Sequence, residues 1–147
     1  MVVARSTDNA AVVALIAQII AKFKRLDAVV LNAGVGVIGD VATGALADWQ
    51  TQFNVGVFSA VSALHAAIPH LRSSPNGGRI IFVSSGLSTS PLPSGAAYAA
   101  AKAAVNSIAR SLKIEEPSIT TMSVHVSSFG CRGRASAHLS TFSARHR

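Results

Sequence analysis

A serine, a tyrosine and a lysine fall close together at Ser85, Tyr98 and Lys102, in types and at a spacing that can move a proton. Tyr98 is the only tyrosine in the chain, and it lies in an alanine-rich run, Ala96 to Ala104, where helix propensity is near its maximum. Residues four apart share one face of a helix, so the Lys102 ammonium can sit beside the Tyr98 phenol. A neighbouring positive charge favours an ionised phenol, and such a pair can exchange a proton with a bound molecule. An amphipathic helix can also set Tyr and Lys four apart with no chemical purpose. The elements that carry the residues must decide.

Those elements alternate along the chain. Ser6-Thr7-Asp8-Asn9 offers N-caps ahead of Val12, Ile16, Ile19 and Phe23, and this predicts a helix over 9–24. The short apolar run 27–32, closed by Asn-Ala-Gly, reads as a strand buried on both faces. A glycine-rich loop leads to a helical pattern over 45–71, with Pro69 expected to kink or fray its last turn. After the turn 73–78 come a second buried strand (79–84), a Pro/Ser/Gly loop (85–95), a helix (96–113) and a third strand (122–126). Strands alternating with helices imply a parallel sheet with covering helices. Ligands of such sheets bind outside the carboxyl ends of the strands, where Asn32-Ala33-Gly34, Ser84-Ser85 and the start of the Tyr98 helix all fall.

Composition bounds the rest. Half of the chain is apolar and 13% is charged, which suits one globular domain and leaves no run long enough to span a bilayer. The N-terminus shows no secretory leader, and the single cysteine, Cys131, cannot form an internal disulfide; both suit a reducing, cytoplasmic compartment. Of the net charge of +7, residues 1–126 carry nine Lys/Arg against six Asp/Glu, while residues 127–147 carry four Arg and no acid. The excess is concentrated in a tail, not along a basic helix face, so no nucleic-acid partner is expected. Two regions follow: a folded unit over 1–126 and a basic tail over 127–147 with little fixed structure.

Several motifs together resemble the short-chain dehydrogenase/reductase family. Leu31-Asn32-Ala33-Gly34 is similar to its Asn-Asn-Ala-Gly motif, Asn54-Val55-Gly56 to its helix asparagine motif, and Ser85 precedes Tyr98 by thirteen positions, with Tyr98 and Lys102 completing Tyr-x-x-x-Lys. The likeness runs from about Ala4 to Val126 and takes in Arg25-Leu26-Asp27 and Pro69-His70-Leu71. It implies a Rossmann-type, doubly wound α/β sheet and a reversible hydride transfer between NAD or NADP and a small alcohol or carbonyl. It also implies roles: Tyr98 as acid/base, Ser85 as hydrogen-bond partner of the carbonyl oxygen, and Lys102 as the group that favours the ionised phenol and holds the nicotinamide ribose. Asn54 would position a relay water, and Asn32, Ala33 and Gly34 would approach the adenosine side.

Departures from the family pattern carry expectations of their own. Gly34-Val35-Gly36-Val37-Ile38-Gly39 satisfies G-x-G-x-x-G, yet no helix start and no acidic residue about 20 positions on support it, so it reads as a flexible loop. A hydrolase set of Ser84 or Ser85 with His65, His70 or His125 lacks Gly-x-Ser-x-Gly and an orienting acid. Cys131 has no companions for a zinc site. The family's first three strands, two helices and glycine-rich turn are not in this sequence, Arg5 stands where an adenine-contacting Asp is common, and Ser127-Ser128 replaces the family's Pro-Gly. The reading is therefore a truncated family member with a flat apolar edge at Ala28 to Leu31, poor solubility and weak nicotinamide binding. The alternative is an inactive fragment that associates with full-length relatives, and the faces for any oligomer are the helices 45–71 and 96–113.

Overall fold

The computed structural model describes residues 5–127 and the backbone of 136–140. The chain opens with α1 (Asn9–Phe23), whose N-cap Asp8 accepts the Ala11 amide at 3.0 Å. Lys24, expected as its last residue, is instead its C-cap: a left-handed φ of 60° turns the chain out of the helix. There follow β1 (Ala28–Leu31), α2 (Leu46–Phe53), a π-helical segment (Asn54–Phe58) and α3 (Ser59–Arg72). After them come β2 (Arg79–Ser85), a 3-10 turn (Gly86–Ser88), α4 (Ala96–Glu115), β3 (Thr120–Ser127) and β4 (Ser136–Ser140).

The helical pattern over 45–71 is thus three consecutive pieces, and the helix carries on past Pro69 to Arg72. Arg72 then reaches across to Glu116, just beyond α4, in a two-bonded ion pair. That pairing holds the Glu116 carboxyl below the usual carboxylate range.

One sheet forms in the order β1-β2-β3-β4, with β1–β2 and β2–β3 parallel. Strand β3 begins two residues earlier than the sequence suggested because it pairs with the whole of β2, Arg79 with Thr120 through Ser85 with Val126. Its far side pairs antiparallel with β4, Ser123 opposite Ser140 and Ser127 opposite Ser136. The sequence reading places no strand over 136–140. A free strand edge is a template for pairing, and a five-residue strand is too short to announce itself by periodicity. The remaining tail positions lie outside the described residues.

The expectation of strands buried on both faces is also corrected. Ile80 and Phe82 are fully buried and, with Val29 and Leu31, meet the helices through Val12, Leu64, Ala67, Val105 and Leu112. Burial of a side chain such as Phe82 contributes about 1.5–3 kcal/mol. The alternate positions point the other way, and there Val30 remains 58% exposed and Val126 43% exposed. Helices pack on the first face: α3 against β1, α4 against β2 and β3, and α1 against α3. At the start of the sheet the Arg25–Asp27 pair, Ser74 donating to Asp27 at 2.6 Å, and the Arg79 amide bonded to the Asp27 carbonyl join the entries of β1 and β2. Among the described residues no helix is long and apolar enough to cross a membrane.

Candidate active site

The parallel register puts Leu31 opposite Phe82, so the carboxyl ends of β1 and β2 release their loops side by side. Asn32, Ala33 and Gly34 leave β1 as an exposed strip. On β2, Ser84 and Ser85 are buried but do different things. Ser84 faces α4 and makes a long 3.5 Å contact with the Lys102 carbonyl. Ser85 caps the 3-10 turn, its Oγ accepting the Leu87 amide at 3.2 Å, which leaves its O–H to donate.

Helix α4 supplies the other two groups. Its first turn carries Tyr98, half-buried, and the next turn carries Lys102 on the same face. Lys102 is only 6% exposed. Its Nζ lies 5.8 Å from the centre of the Tyr98 ring and donates to the Val83 carbonyl at 2.7 Å. Burial lowers the Lys102 pKa from its ordinary value. Gly34 completes the group: a Cβ built there would sit 3.4 Å from Lys102 Nζ. Ser85, Tyr98, Lys102 and the Asn32-Ala33-Gly34 strip therefore meet at one sheet edge.

Asn54 is placed differently. It opens the π-helical segment, its carbonyl accepting the Ser59 amide, and its exposed side chain lines a groove of ≈590 Å³ with Ser6, Asn9, Ser62 and His65. Neither Ser85, Tyr98 nor Lys102 lines that groove. The segment does touch α4, where Gly56 lies against Ala101, a Cβ there meeting the alanine methyl at 3.8 Å. Such π turns are frequent at functional sites.

Three residues that sequence reasoning passed over hold the site in place. Asn106 Nδ2 donates to Ser88 Oγ at 2.9 Å, and Ser88 in turn donates to the Ser85 carbonyl at 2.7 Å, so α4 fixes the turn that Ser85 begins. Asn106 is four residues beyond Lys102, on the face already assigned to the site, and that was the available signal. Its Oδ1 is buried without a partner. Gln52, 1% exposed, donates to the Val37 carbonyl at 3.1 Å and pins the loop after β1. No glycine-motif helix follows that loop, as expected, but it is anchored: the Gly39 amide donates to the Ser94 carbonyl at 2.9 Å.

A sequence model described as short chain dehydrogenase matches residues 1–137. The chain belongs to the short-chain dehydrogenase family. Among its curated relatives, an uncharacterized oxidoreductase of Schizosaccharomyces pombe is 42% identical over 106 residues, covering 71% of this chain and 42% of that protein. A benzil reductase of Saccharomyces cerevisiae is 38% identical over 117 residues, 76% of this chain and 44% of its own. The crystal structure of a short chain dehydrogenase from Mycobacterium smegmatis superposes with a TM-score of 0.81 at 35% identity, over 88% of this chain and 55% of that one. This short-chain dehydrogenase chain spans about half the length of the relatives it matches. Their folds are those of Rossmann-type dehydrogenases, and the likeness to the solved structures extends over 83–88% of this chain.

Proposed function

We propose that this chain carries the proton-transfer half of an NAD- or NADP-dependent oxidoreductase that interconverts an alcohol and a carbonyl. The observation that supports this best is Lys102, a buried lysine fixed to the Val83 carbonyl one helical turn from Tyr98 and at the edge where Ser85 ends its strand. A lysine kept in so dry a place at that edge has more to do than decorate a helix.

The residues fit the nicotinamide-ribose side of a dinucleotide. A side chain at Gly34 would fill the space over Lys102 Nζ, and glycine keeps it open for a hydroxylated ligand approaching along Asn32-Ala33-Gly34. The bound cofactor supplies or accepts the hydride. In the reducing direction the Ser85 O–H donates to the carbonyl oxygen and holds it, and the Tyr98 phenol passes its proton to that oxygen. Lys102 stabilises the phenolate left behind; Asn54, whose side chain lines a separate groove, takes no step in this proposal. Oxidation of the alcohol runs the same transfers in reverse.

Cytoplasmic location belongs to the same proposal, supported by the single cysteine of the sequence. So does a homo-oligomer through α2–α3 and α4, whose exposed Phe58 (59%) and Ile114 (83%) favour covering those helices. The second reading, an inactive fragment, is favoured by one observation: among the described residues β1 pairs on one side only, with β2. Tyr98→Phe separates the two. Reduction of a simple ketone with NADH or NADPH, followed at the nicotinamide absorbance, should fall at least ~100-fold in the variant; equal rates would exclude Tyr98 as the acid/base.

A further inference from the structure

The sheet ends at β1 on one side, and among the described residues no strand pairs with the outer edge of β1. A groove of ≈310 Å³ lies there, lined by every position from Ala28 to Ala33 and walled by Leu15, Ile16 and Ile19 of α1. Successive side chains of a strand point to opposite faces, so a groove confined to one face would meet only every second residue. This one meets six in a row and therefore follows the edge itself, where the outward N–H and C=O groups of β1 are presented. Such an edge takes another strand by main-chain hydrogen bonds.

The edge carries none of the devices that keep strands apart. No Lys, Arg or Pro occurs from Leu26 to Gly39, and the one charged residue, Asp27, is already engaged by Arg25 and by the Ser74 hydroxyl. Val30 is 58% exposed on the face away from the helices, and Val29 and Leu31 are only half-buried on the other. The segment is also complementary to itself. In an antiparallel pair with Val30 opposite its own mate, Val29 faces the partner's Leu31 and Asp27 faces the partner's Ala33, so no two charges meet. The two-fold axis of such a pair stands perpendicular to the sheet. It puts α1 and its mate on one face, with Leu15 and Ile19 closing over the joint.

We propose that the occupant of this groove is a second copy of the chain, joined through antiparallel β1 strands into one sheet that runs through both copies. This face is distinct from α2–α3 and α4 and owes nothing to catalysis. The same register lays the partner's Ala28 beside Asn32, so the second copy borders the Asn32-Ala33-Gly34 strip. The test is light scattering of the full chain on size exclusion from about 1 to 100 μM, with charge exchange at position 30. Wild type should be dimeric. Val30→Lys and Val30→Glu each set like charges directly opposite and should weaken the dimer at least about tenfold; the position is exposed, so the monomer fold tolerates both. An equal mixture of the two should regain the dimer, which two unfolded variants could not do. A wild-type monomer at about 100 μM, or a mixture no tighter than its parents, would overturn the edge pairing. So would an oligomer that Val30→Lys leaves intact and Ile114→Glu dissolves, since the contact would then lie on the helices.

Discussion

Replacing Lys102 with methionine keeps the volume of the side chain and removes its nitrogen, which sets two effects against each other. The Val83 carbonyl loses its donor at 2.7 Å, and a buried acceptor left alone costs about 1–3 kcal/mol. Against that, the folded chain no longer holds an ammonium in a dry place, where burial lowers the lysine pKa below its ordinary 10.5. The sign of the pH dependence follows from linkage. Above 10.5 the amine is neutral in both folded and unfolded chains, and its full contribution to stability is present. As pH falls through the lowered folded value, the unfolded chain takes up the proton more readily and that contribution is lost. Urea unfolding of wild type and Lys102→Met at pH 7, 8.5 and 10 should therefore show the difference growing in favour of wild type with rising pH, towards the ~1–3 kcal/mol of the stranded carbonyl. Groups that titrate in both proteins cancel in the difference. A difference that stays constant from pH 7 to 10 would mean that Lys102 is not desolvated, and the argument built on its burial would fall.

Gly78→Ala should destabilise the fold by about 1–3 kcal/mol in the same urea assay, because the new Cβ would lie 2.6 Å from the Leu71 carbonyl oxygen and 2.8 Å from the Leu71 Cβ; an unchanged midpoint would show that the turn between α3 and β2 yields freely. Asn106→Ala should remove the bond that steadies Ser88 and with it the Ser85 turn. Losing roughly 1 kcal/mol there makes the Leu87 amide, which is bonded to Ser85 Oγ, exchange with solvent about fivefold faster while the β2 amides keep their protection.

Most of the scaffold was legible because it is written locally. The Asp8 cap, the alanine run of α4 and the apolar runs of β1 and β2 each announce their element within a few residues. The placement of the candidate residues was legible for a related reason: Tyr98 and Lys102 are on one helix face, and Ser85 ends a strand. What the sequence concealed depends on partners distant along the chain. Whether Val30 is covered is decided by which face the helices choose, and β4 exists because β3 has a free edge. Asn54 reads as a member of the set in one dimension, yet the π turn it opens aims its side chain into a groove of its own. Asn106 and Gln52 act by hydrogen bonds to residues 18 and 15 positions away, a reach no local pattern encodes.

The strand register also dictates an order of assembly. Pairing β1 with β2 joins Ala28 to Arg79, and pairing β2 with β3 joins Arg79 to Thr120, so each parallel contact must first close a loop of about forty to fifty residues. The β3–β4 pair closes only the short span from Ser127 to Ser136. Local contacts form quickly and distant ones late. The sheet is thus expected to grow from the β4 edge towards β1, after α4 has folded on its own alanine-rich sequence. On that route Ser85 and Lys102 meet early, and the Asn32-Ala33-Gly34 strip joins them in the final step.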